Sequence, residues 1–72
     1  MQPSQLIDRD AQILGGTPVF KGTRVPVEVL FDHLEQGIPL AEFLDDYPTV
    51  TRAHAIAVLE LAGKLVVANS EA

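Results

Sequence analysis

Cysteine is absent from the chain, which excludes both a disulfide staple and a thiolate zinc site. The metal-ligating groups that remain are two distant histidines, His33 and His54, and surface carboxylates, a poor donor set, so neither metal nor cofactor is expected. Basic residues are the second shortage: five Lys and Arg stand against ten Asp and Glu, a formal net charge of −5. Generic attraction to nucleic acid needs a basic face, so any such role has to rest on a local patch. A basic partner protein is the easier electrostatic match. Long apolar runs are also missing. None reaches the roughly 18 residues of a membrane span, and the first residues lack the charged-then-apolar layout of a secretory signal. A soluble, cytoplasmic protein without membrane contact is expected. Neither histidine lies in a recognisable Ser or Asp constellation, and Gly15-Gly16 is too short to cradle a phosphate. No enzyme is expected.

What the chain does contain is organised around Gly15-Gly16-Thr17-Pro18-Val19-Phe20-Lys21-Gly22-Thr23-Arg24-Val25-Pro26-Val27. At 72 residues there is room for a single domain, which buries only about 60 % of its unfolded surface and gains from association with a second chain. Residues 1–11 read as a loose polar lead, with Leu6 and Ile7 as anchors. Residues 12–25 read as a β-hairpin. Gln12-Ile13-Leu14 and Val19-Phe20-Lys21 form its strands, and the Gly pair permits a tight reversal with Pro18 at a strand start.

Residues 26–69 change period. Pro26 suits a first helical turn, and Val27, Leu30, Phe31 and Leu34 mark one helical face. Glu28, Asp32 and Glu35 fall opposite, and Gly37 terminates the helix. After Pro39, Leu40, Phe43, Leu44 and Tyr47 repeat the spacing, with Glu42, Asp45 and Asp46 outside, until Pro48 stops the second helix. Thr51 is a credible N-cap for a third helix from Arg52 to about Ala68.

Between Ala55 and Ala68 the third helix carries only Glu60 and Lys64 as charges, spaced as a mutual i, i+4 pair. A helix apolar nearly all round is expected to be buried nearly all round. Two short helices and a hairpin cover one side only, which predicts a second copy of the chain against the other. Ile56, Leu59, Leu61, Leu65 and Val66 are the candidate dimer residues. The fold expected is mainly α: a small N-terminal β-hairpin followed by a three-helix helix-turn-helix bundle of homeodomain-like or winged type, as a homodimer. In such folds the helix after the turn is the candidate recognition helix.

The Gly-Gly-x-Pro-x-apolar-x-Gly-Thr-Arg-apolar-Pro-Val run of residues 15–27, with Gly37, the Tyr47-Pro48 pair and Thr51, resembles the signature of a small bacterial family, domain-of-unknown-function family 433. The likeness spans about Asp8 to Ala62. It implies a hairpin-led helix-turn-helix antitoxin that binds and neutralises a PIN-type nuclease toxin encoded beside it, with operator DNA as a further partner. Two departures stand out. Arg52, Ala53 and His54 replace the acidic residues that family members often carry in that turn, and Pro39 replaces a Ser or Thr.

Two other functions stay open beside the antitoxin: a DNA-binding regulator without a toxin, and a purely structural interaction module. The contact candidates are Lys21, Thr23, Arg24, Thr51, Arg52 and His54. Four of them have a plainer reading. Thr23 caps a loop, Arg24 pairs with Asp8 or Asp10, Arg52 ends a helix in solvent, and His54 is a surface residue. The acidic helix faces read as solvated surface.

Overall fold

A computed structural model describes residues 3–9 and 14–70. In chain order these form α1 (Pro3–Leu6), β1 (Ile7–Asp8), a 3-10 turn (Leu14–Gly16), β2 (Val19–Phe20), α2 (Val27–Glu35), α3 (Leu40–Asp46) and α4 (Arg52–Asn69). The protein is mainly helical, a two-stranded antiparallel sheet followed by three longer helices. No helix among the described residues is long and apolar enough to cross a membrane.

The sheet differs from the expected one in its first strand. Ile7 faces Phe20 and Asp8 faces Val19, so the partner of β2 comes from the stretch read as a loose lead. Leu14 belongs to the 3-10 turn, while Gln12 and Ile13 lie outside the described residues. Burial accounts for the choice: Leu6, immediately before β1, is only 5 % exposed and joins the core beside Phe20. Its carbonyl accepts the Lys21 N–H at 2.9 Å, extending the ladder by one bond.

β2 also turns back on the chain that follows it. Phe20 N–H donates to Val25 O at 2.9 Å and Val27 N–H to Pro18 O at 3.0 Å, with Val19 bridging Pro26. The reversal is made at Lys21-Gly22-Thr23-Arg24, where Gly22 has φ 80°, a conformation that costs a side-chain-bearing residue about 1 kcal/mol or more. The Gly-Thr-Arg segment is therefore the tip of a tight loop that leads straight into α2.

Helix boundaries follow their local signals. Pro26 and Pro39 sit at the N-cap of α2 and α3, extended at ψ 136° and 151°, one position earlier than a first-turn proline. Gly37 (φ 79°) closes α2: its N–H donates to Leu34 O at 3.0 Å while Ile38 N–H reaches His33 O at 2.8 Å. That pair of bonds is a Schellman closure, and it satisfies carbonyls that the helix end would leave open. Thr51 caps α4, its hydroxyl accepting the His54 N–H at 3.1 Å.

The core is a run of rings bordered by aliphatic side chains. Phe20 and Phe43 are fully buried, with ring centroids 5.9 Å apart. Phe43 continues to Tyr47 at 5.2 Å and to His33 at 5.5 Å, which joins α2 to α3. Leu30, Val50, Ala55 and Val58 close the sides. The acidic residues Glu28, Asp32, Glu35, Glu42, Asp45 and Asp46 are all exposed, as their spacing predicts.

In α4 the outcome differs from the expectation of burial all round. Ala55 and Val58 are buried and Ala62 is the last half-buried position; from Gly63 to Ser70 every residue is exposed. Leu65, Val66 and Val67 are 52 %, 64 % and 76 % exposed. The helix outruns the body that covers its first half, and about 10 Å of it (1.5 Å per residue) projects with apolar side chains on several sides.

Candidate interaction site

The six contact candidates divide by what the fold already asks of them. Thr23 is held inside the loop, its hydroxyl donating to Phe20 O at 2.8 Å and accepting the Val25 N–H at 3.1 Å. Thr51 is occupied as a cap. Lys21 lies 3.5 Å from the Asp8 carboxylate, whose other oxygen accepts the Gly22 N–H at 3.3 Å. Asp8 thus serves Lys21 and the turn backbone, not Arg24, while Asp10 lies outside the described residues. His54 is not a surface residue. It is half-buried, with Nε2 2.7 Å from Leu6 O and its ring edge-on to Phe20 at 5.2 Å and 88°. Because a carbonyl only accepts, Nε2 carries the hydrogen, and the imidazole ties α4 to the N-terminal segment.

Arg24 and Arg52 remain. Both are exposed, and neither pairs with a carboxylate among the described residues. Arg24 stands over an open groove of about 600 Å³ lined by Asp8, Gly22, Thr23, Val25 and Thr49. Thr49 lies in the loop before α4, three residues ahead of Arg52. The groove is shallow and of mixed polarity, suited to part of a macromolecular surface more than to an enclosed small molecule. Asp8 was expected beside Arg24 as its ion-pair partner and instead shares this groove with it, whereas nothing in the sequence pattern pointed to Thr49.

The dimer candidates divide too. Leu59 and Leu61 pack against the chain's own core, whereas Ile56, Leu65 and Val66 are exposed. Val67 is the most exposed large apolar side chain of the helix and was not among them. Its place eleven residues after Ile56, three helical turns on, puts the two on the same face. Glu60 and Lys64 form no ion pair with each other among the described residues, contrary to their i, i+4 spacing.

Residues 7–62 match the model of a family described as Protein of unknown function (DUF433). The chain belongs to this family. No curated protein and no solved structure matches the chain. The family match begins at the first residue of β1 and ends at Ala62, where α4 leaves the body. It therefore takes in the loop, the groove and the cap, and stops short of the projecting half of α4. Within the signature the fold uses Gly22 for its positive φ, Thr23 for its two bonds, Val25 and Val27 for the core, and Pro26 for the cap. Arg24 is the signature side chain that finds no carboxylate partner among the described residues.

The loop role of Thr23 is open to measurement. Thr23→Val keeps the shape but strands the Val25 N–H, with an expected loss of about 1–3 kcal/mol. Since each kcal/mol moves the midpoint of a small domain by about 4–8 °C, thermal melting should show a clear drop. Thr23→Ser should stay near wild type. Equal melting for Val and wild type would remove the structural role.

Proposed function

We propose that the chain is an antitoxin that binds and neutralises a PIN-type nuclease, using the projecting half of α4 as its principal contact. The family resemblance suggests the class of partner. The observation that carries the contact is the exposure of Leu65 and Val66, 52 % and 64 %, on the side of α4 that continues the core-facing stripe past the end of the body. A helix presenting apolar anchors in this way suits a hydrophobic groove on another protein. The net charge of −5 favours a basic partner and disfavours non-specific nucleic-acid binding. Arg24, at the tip of the loop, adds a cation for a carboxylate on the nuclease.

Co-expression with the product of the adjacent gene tests this. The wild-type chain should co-purify with the nuclease and suppress its RNA cleavage. The double variant Leu65→Asp/Val66→Asp should fold normally, because both positions are exposed, yet bind at least roughly 30-fold more weakly, as expected for the loss of anchor residues. If the wild-type chain neither co-purifies with nor inhibits the nuclease, the antitoxin reading is lost.

Operator binding is the second reading. It takes α3 and α4 as a helix-turn-helix, and it is favoured by Arg52, exposed in the first turn of capped α4, where base and phosphate contacts are made in such folds. Gel shifts with the upstream region of the gene should then show salt-sensitive binding. No shift at low salt removes it.

A further inference from the structure

The side of α4 that faces away from the core carries a pattern distinct from the Leu65 side. Ala53, Ile56, Glu60, Gly63 and Val67 follow one another at spacings of three, four, three and four residues, the spacing of a two-helix seam. All five are exposed, with Ile56 at 40 % and Val67 at 76 %. Lys64 borders the stripe beside Gly63. The two charges, Glu60 and Lys64, are exposed and make no ion pair with each other.

We infer that this stripe pairs two copies of the chain, α4 against α4, antiparallel about a two-fold axis between Leu61 and Ala62. With Ile56 set opposite the partner's Val67, the seam gives a second apolar layer by symmetry, Val67 opposite the partner's Ile56. Between them Glu60 lies over the partner's Gly63, and Lys64 lies beside the partner's Glu60. Gly63 has open space where a side chain would stand, so the opposing helix can approach closely and the Glu60 stem can cross it. Each copy's carboxylate then meets the other's ammonium, and the two-fold repeats the contact.

Orientation follows from the same charges. A parallel pair in register sets Glu60 against Glu60 and Lys64 against Lys64, while the antiparallel pair sets opposite charges together at both places. This self-complementarity identifies the occupant as a second copy: a surface whose acid and base exchange places under a two-fold rotation matches itself. Leu65 lies on the other side of the helix and stays open for a different partner, while Val66 flanks the seam on the edge opposite Lys64. The inference does not rest on the antitoxin reading.

Sedimentation velocity on the full chain tests it through charge reversal. Wild type should sediment as a dimer. Glu60→Lys alone and Lys64→Glu alone each turn both cross-pairs into like-charge contacts, which should raise the dissociation constant roughly ten- to hundred-fold. An equimolar mixture of these two single variants restores opposite charges at every contact and should recover dimer mass, as should the double variant Glu60→Lys/Lys64→Glu. Rescue on mixing has no explanation within a single helix, so it separates pairing from changes in helix stability. Three results each overturn the proposal: a wild-type monomer at high concentration, single variants that dimerise like wild type, or a mixture that stays monomeric. Nuclease co-purification is read separately with Leu65→Asp, which lies off the seam, so failure of the antitoxin reading leaves this result intact, and the reverse holds too.

Discussion

Phe20→Ala is expected to lower the melting midpoint by roughly 12–40 °C, at about 4–8 °C per kcal/mol lost. Phe20 is fully buried and lies between Phe43 and His54, at 5.9 Å and 5.2 Å, so it is where the sheet, α3 and α4 meet. Removing a buried phenyl ring costs about 3–5 kcal/mol through lost transfer energy and the cavity left behind. A domain of this size has roughly 4–11 kcal/mol to lose, at 0.05–0.15 kcal/mol per residue. The loss therefore takes a large share of the total. Phe20→Leu keeps most of the volume and should melt cooperatively with a smaller drop, within about 1.5 kcal/mol of wild type. Circular dichroism during heating distinguishes these outcomes. A Phe20→Ala midpoint within a few degrees of wild type would mean that the core is not built around this ring.

His54→Ala carries the second-largest expected effect, and it falls on a different level of organisation. The imidazole supplies one hydrogen bond, Nε2–H to Leu6 O at 2.7 Å, and an edge-on contact with Phe20. The bond is worth about 1 kcal/mol net and the ring contact about 0.5–1.5 kcal/mol. Leu6 O keeps its second donor, Lys21 N–H, so the carbonyl is not orphaned. The expected result is a loss of about 2 kcal/mol concentrated at α1 and β1, by the same two contributions. Hydrogen exchange should report it: Lys21 N–H should lose protection well before the amides of α3. His54→Phe restores a ring without the donor and should recover only the packing share. Uniform loss of protection across all helices in His54→Ala would show that the histidine does not act as a local tie.

Much of this fold is legible in the chain because the signals are short-range. The α2 and α3 faces follow from spacings within two turns, and the side chains at those positions are buried or half-buried apart from Leu34. Gly37 closes α2 and Thr51 opens α4 through bonds between residues at most five positions apart. Gly22 makes its loop through a φ that its own lack of a side chain allows. The turn at Gly22 is likewise legible from composition alone.

The errors share the opposite property. β1 is two residues long, too short to show any alternation, and its pairing depends on Leu6 reaching the core. Asp8 meets Lys21 thirteen positions away, and His54 meets Leu6 forty-eight positions away. Spacing along one helix carries no information about either. Glu60 and Lys64 show the limit of the local rule, because a weak exposed pair need not form where nothing holds it. The length of the body set against the length of α4 is likewise a tertiary quantity. Ala, Val and Leu recur on both sides of Ala62, yet one half is covered and the other projects.

By itself, then, the sequence determined the three longer helices, the Gly37 and Thr51 ends, the loop that carries Arg24 and an acidic surface, since each arises among residues close in the chain. It did not determine α1, which lies in the stretch read as a loose lead. Only the tertiary structure decided which strand pairs with β2, which of six polar candidates remain unused by the fold, and which sides of α4 are left open. Those outcomes depend on surfaces that meet only after distant segments have packed.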